Sequence, residues 1–201
     1  MNVLQAAVIL ALVWCVTALA VLFVRTKAFG PRKLFSQSAG NARAGVRYAF
    51  LQGMAPQAKE SVRMNPLSYL AGMLYHVGIF AGLALLGANL AGFGLTRIVG
   101  VAALVGALAG ASLLAKRMFM SHLRGLSCPD DFVSNLLATA FAAFAGAAAF
   151  APGFITAWLC EGIALLVYAP LGKIRHCVFF FSTRYHFGAF FGRRGVLPPM
   201  A

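Results

Sequence analysis

Long apolar runs alternate with short basic stretches along this chain, and five of the runs reach the roughly 20 residues that a helix needs to cross a hydrocarbon core. They cover about residues 3–25, 67–92, 97–116, 132–151 and 153–181. The pattern predicts an all-α, polytopic membrane protein: a five-transmembrane-helix bundle occupying residues 1–201 as one membrane domain. Connections between the runs are mostly short. Ala151-Pro152-Gly153 closes the last two into a tight hairpin, and Gly92–Thr96 joins the second to the third. The longer connections are a basic loop, 26–66, and a tail, 182–201. Small residues crowd the third and fourth runs (GALAGAS and AAFAGAAA), which allows helices to approach closely.

Composition strengthens this picture. Hydrophobic residues make up 61% of the chain and charged residues 10%, with a mean hydropathy of +0.84. A soluble domain would carry about a quarter charged residues. A net charge of +13 would suggest nucleic acid in a soluble protein. Here the cations lie between apolar runs and no aromatic-basic module accompanies them, so no nucleic-acid partner is expected.

The cations also set the expected sidedness. Eight lie at or within the 26–66 connection (Arg25, Lys27, Arg32, Lys33, Arg43, Arg47, Lys59, Arg63). Lys116, Arg117 and Arg124 follow the third run, and Lys173, Arg175, Arg184, Arg193 and Arg194 lie at or beyond the end of the fifth. Arg97 alone falls on the other side. By the positive-inside rule the N-terminus is outside and the C-terminus cytoplasmic, in a bacterial inner membrane. The first run has no cation before it and is long for a signal core, so it is expected to be a retained span.

Candidate chemistry is sparse. Glu60, Asp130, Asp131 and Glu161 are the only acidic residues, and they form no paired-carboxylate, phosphate-loop or Ser/His/Asp pattern. Cys15, Cys128, Cys160 and Cys177 lack CxxC spacing, which argues against a zinc or iron–sulfur site held by this chain alone. Cys15, Cys160 and Cys177, in or beside apolar stretches, are expected to act as small hydrophobic filler.

The histidines are more informative. His76 lies about nine residues past Pro66 in the second run, roughly 14 Å in at 1.5 Å per residue. An ionisable group at such depth is a functional candidate. Gly78 and Gly82 beside it leave room for a planar group near the backbone. His176, in Lys173-Ile174-Arg175-His176, lies near the inner end of the fifth run. Two imidazoles in the inner half of different helices suit a six-coordinate b-type haem, with Arg63, Arg117, Lys173 and Arg175 as propionate donors. Equally, His76 could be a helix–helix hydrogen-bonding residue and His176 an interfacial base. His122 and His186, in basic segments, are expected at the surface or against a partner.

At these residues the chain resembles the cytochrome b gamma subunit of respiratory nitrate reductase and the related membrane subunits of sulfate-reducer and heterodisulfide-reductase-like redox complexes. The likeness rests on five runs with His-Val-Gly-Ile in the second, Gly-Lys-Ile-Arg-His at the foot of the fifth, and an aromatic-basic tail, RYHFGAFFGRRGVLPP. Asn65-Pro66-Leu67 through Tyr69 and Gly72 into His76 is similar to the sulfate-reducer branch. The resemblance implies an inner haem on His76 and His176. The places corresponding to the outer haem's ligands hold Leu86 and Trp158, so one haem b is expected, not two.

With no outer haem, an outer quinone site would lie too far away across a core of about 30 Å. The quinone, menaquinone in this resemblance, would therefore bind near the inner haem, or a membrane partner would bring electrons to it. Glu161 is either a proton carrier for that chemistry or the partner of a polar group on a neighbouring span. The expected function is an electron-transfer subunit working between the menaquinone pool or other membrane subunits and an iron–sulfur subunit on the cytoplasmic face. The Phe-rich tail would serve as docking platform or headgroup anchor. The alternative is a haem-free structural anchor of the same complex; a small transporter is disfavoured because no inverted repeat is visible.

Overall fold

The structure, a computed structural model, describes residues 2–30, 35 and 37–198. Arg32 and Lys33 of the expected basic loop, and Pro199 of the tail motif, lie outside the described residues. Among the described residues the chain is helical and contains no strand. Four helices among the described residues are long and apolar enough to cross a membrane: α1 (Val3–Lys27), α4 (Pro66–Leu90), α5 (Arg97–Phe119) and α7 (Pro129–Phe150). Two short helices, α2 (Ala42–Phe50) and α3 (Glu60–Met64), fall in the basic connection, and α6 (Ser121–Gly125) precedes α7.

The fifth apolar run is not one helix. α8 (Ile155–Tyr168) ends and α9 (His176–Arg193) begins after a break, so this run counts as a span only if the broken pair is taken together. Pro170 supplies the reason: it lacks an N–H, and its ring would clash with the carbonyl of Leu166 in a continuous helix. The chain instead closes on Tyr168, whose carbonyl accepts from Leu171 N at 2.9 Å and Gly172 N at 3.1 Å.

The helices cluster into two compact units where the sequence suggests one domain. One comprises Met1–Ala18 with Leu67–Ile174, the other Leu19–Pro66 with Arg175–Ala201.

In the first unit, α1 buries a narrow stripe (Val8, Ala11, Cys15) and leaves large apolar side chains such as Leu10 and Val16 exposed, a distribution suited to lipid. Gln5 Nε2 donates to Asn89 Oδ1 of α4 at 3.1 Å, and Trp14 Nε1 to the carbonyl of Val167 in α8 at 3.2 Å. α4 and α5 meet backbone to backbone at Gly78 and Gly106, where a Cβ on either glycine would collide with the other's Cα. Gly100 and Gly146 give α5 and α7 a similar approach. The core of this unit is Phe141 of α7 against Trp158 of α8, both fully buried with ring centroids 6.5 Å apart.

In the second unit, α2 lies against α9. Gly188 and Gly192, one turn apart on α9, offer flat backbone to Gly45 of α2, a small-xxx-small arrangement. Asn41 caps α2 through its side-chain oxygen, which accepts from Arg43 N at 2.9 Å. The chain just before it is held to the end of α9 by Ala39 N and Gly40 N donating to the Arg193 carbonyl, at 3.0 and 2.8 Å. Thus the expected tail is largely helix, and part of the expected loop packs on it.

Candidate functional site

α4 carries His76 on an outward face that it shares, by helical spacing, with Met73, Val77 and Phe80, all at least half exposed. The imidazole is itself exposed, and its Nδ1 lies 2.7 Å from the carbonyl oxygen of Gly72 one turn earlier. A carbonyl can only accept, so Nδ1 carries the proton, and in neutral imidazole the lone pair is on Nε2. Among the described residues nothing hydrogen-bonds to Nε2. This is the tautomer arrangement found where a histidine ligates a metal through Nε2 and donates its other N–H to a backbone carbonyl. The donor chemistry at His76 therefore fits a haem ligand.

Gly78 has a different use from the one its place beside His76 suggests. It is buried against Gly106, and Gly82 faces the Phe141 ring, so α5 and α7 occupy the small-residue face expected to admit a planar group.

His176 is the first residue of α9 and is exposed. Arg63, in the last turn of α3, and Arg175, just before α9, are exposed as well. These three belong to the second unit, whereas His76, Gly78, Arg117 and Lys173 belong to the first.

Arg117 and Lys173 are brought together, but on a carboxylate. Lys173 Nζ donates to Asp131 Oδ2 at 2.6 Å, and Arg117 Nη1 lies 3.6 Å from Asp131 Oδ1 while donating to Ser127 Oγ at 2.8 Å. Asp131 also accepts from Cys128 N at 2.9 Å, closing the first turn of α7. Beside it, Asp130 accepts from the Tyr168 hydroxyl and from Ser134 Oγ. Two of the four expected propionate donors are thus already engaged. The two aspartates, which fit no catalytic pattern in the sequence, tie the ends of α5 and α8 to the start of α7. Pro129-Asp130-Asp131 is a helix-start signal legible in the sequence. Asp131→Ala is expected to destabilise the chain in detergent by about 1 kcal/mol through loss of the cap, with Asp131→Asn recovering part of it. Equal melting of D131A and wild type would show that the network does not hold this end together.

Glu161 sits on α8, one turn beyond Trp158. Its Oε1 and the Trp158 Nε1 are both buried without a hydrogen-bond partner among the described residues. The expected polar neighbour for that oxygen is therefore not seen there. Of the cysteines expected as filler, Cys15 is buried but Cys160 and Cys177 are exposed.

Among the described residues, His76 on α4 and Glu161 on α8 are polar side chains within apolar helices that keep an atom without a hydrogen-bond partner. No family model, curated protein or solved structure matches this chain.

Proposed function

We propose that the chain is a membrane cytochrome b subunit, holding one haem b through His76 and His176 as part of a multisubunit respiratory redox complex. The observation that carries this reading is the His76 side chain: deep in an apolar helix, exposed, with Nδ1 tied to the Gly72 carbonyl and Nε2 open. A bare imidazole in hydrocarbon is costly, and iron ligation at Nε2 removes that cost. A haem bound there supplies one-electron transfer; the chain's part is to hold and orient it and to shape its surroundings. Arg63 and Arg175 are the propionate donors this reading retains, since Arg117 and Lys173 share Asp131.

In this reading the N-terminus is outside a bacterial inner membrane and the C-terminus cytoplasmic, as the distribution of cations favours. The electron partners are the menaquinone pool or another membrane subunit on one side and an iron–sulfur subunit on the cytoplasmic face on the other. The exposed aromatic side chains of α9, Phe181 and Phe187 among them, support a docking role for that helix.

The test is the haem-to-protein ratio of the purified complex with a reduced-minus-oxidised spectrum. One b-type haem per chain supports the proposal, and a chain without haem leaves the structural anchor. Glu161 is the proton-handling candidate for quinone chemistry because its buried Oε1 lacks a partner among the described residues. Glu161→Gln is then expected to lower quinol turnover by about 100-fold, the lower range for a positioned acid–base group, with haem content unchanged. Unaltered turnover would assign Glu161 to packing.

A further inference from the structure

Within the second unit, the last turns of α1 and the middle of α9 enclose a cleft of about 570 Å³, a size typical of small-molecule sites. Phe23 and Lys27 line one wall; Phe181, Ser182, Tyr185 and His186 line the other. Both walls carry the same pairing, a phenylalanine with a polar or basic group one helical turn further on. None of the lining side chains is acidic. The Lys27 ammonium lies over its own Phe23 ring, 5.2 Å from the centroid, and among the described residues it makes no ion pair. The cleft therefore offers an ammonium, an imidazole and the hydroxyls of Ser182 and Tyr185, with a third hydroxyl, that of Thr26, donating to the Phe23 carbonyl at 2.7 Å, all flanked by aromatic faces. That set suits an anion with several acceptor oxygens attached to an apolar body.

We propose that this cleft binds the phosphodiester headgroup of an anionic phospholipid. Lys27 neutralises the single negative charge of the phosphodiester, and His186, Ser182 and Tyr185 donate to its oxygens. The acyl chains run along the exposed apolar side of α1 at Val21 and Val24, which are 50% and 62% exposed. This apolar surface and the phenylalanine walls favour a lipid over free phosphate. The position agrees, since the cleft lies where the apolar run of α1 gives way to Arg25, Thr26 and Lys27. The site is independent of haem and stands whether or not the chain carries one.

The experiment uses the full chain, delipidated in detergent and re-exposed to phosphatidylglycerol or phosphatidylcholine, with native mass spectrometry counting retained lipid. Phosphatidylglycerol is expected to be retained preferentially. Lys27→Gln should weaken its binding about five-fold, the typical contribution of one basic residue near anionic lipid, and the double variant with His186→Gln should weaken it further. Arg43→Gln, an exposed cation on α2 outside the cleft, should leave binding unchanged. Equal retention of the two lipids, or equal loss in R43Q and K27Q, would reduce the cleft to general headgroup attraction and overturn the proposal. Displacement of phosphatidylglycerol by millimolar inorganic phosphate would make it a free-phosphate site instead. Photoreactive phosphatidylglycerol on the wild-type chain checks the location without any substitution: labelling must fall on the 23–30 and 181–186 peptides, and labelling elsewhere refutes the site.

Discussion

Gly78→Ala and Gly106→Ala are expected to destabilise the chain to a similar degree, each by about 2–3 kcal/mol, because a new Cβ has only the opposing backbone to displace. At Gly78 it would meet the Gly106 Cα and lie 3.2 Å from the Ala102 carbonyl oxygen; at Gly106 it would meet the Gly78 Cα and lie 2.9 Å from the Leu74 carbonyl oxygen. Backbone cannot rotate aside as a side chain can, so α4 and α5 must separate along their length and lose packing on both sides. The contact is reciprocal, and so the double variant should cost less than the sum of the two. Unfolding of the full chain in mixed micelles measures all three. The pair also separates two roles for Gly78. If it served a planar cofactor, G78A would perturb that cofactor's spectrum while G106A would not. Equal stability losses with additivity broken assign it to the helix crossing; a well-folded G78A would remove the crossing from the account.

His76→Ala carries the second large effect: complete loss of the proposed haem, with helical content retained. The exposed His76 ring contributes little core packing, so its removal should leave the α4 contacts at Gly78 and Gly82 in place. His176→Ala, at the start of α9, is expected to abolish the same spectrum. Circular dichroism beside the haem-to-protein ratio distinguishes a missing ligand from a missing fold. A folded H76A that keeps a full complement of haem would sink the ligand assignment. His76→Gln, whose amide nitrogen has no lone pair to offer a metal, should behave as H76A does.

Much of the helix inventory is legible in the pattern of apolar residues. The runs behind α1, α4, α5 and α7 are long and continuous, and their expected bounds lie within a few residues of the helices found. The fifth run misleads because its hydropathy continues across Tyr168-Ala169-Pro170-Leu171-Gly172, while the backbone cannot. Pro170 is the signal, outweighed by the apolar residues on either side. A second signal is Gly-Ala-Phe-Phe-Gly at 188–192. In a tail that reads as docking surface, that spacing is what lets α9 accept α2.

At the candidate site the division follows a similar line. Residue type and depth single out His76 in the sequence, since a polar group inside an apolar run is conspicuous wherever the run folds. Its hydrogen bond to Gly72 is local, one turn back, and so follows from the helix itself. The fates of Arg117 and Lys173 cannot be read this way. Each is a cation near a helix end, equally suited to headgroups, propionates or a carboxylate, and Asp131 is 14 residues from the first and 42 from the second along the chain. Gly78 is similar: a glycine next to a histidine reads as open space until another helix is placed against it.

Transfer of side chains from water to lipid is a local property, additive along the chain, and it determined from sequence alone that this protein is a set of apolar helices with basic connections. Which small residues become contacts, which cations find carboxylates, and where a helix must stop and restart depend on partners distant in sequence. Those were decided only when the helices packed.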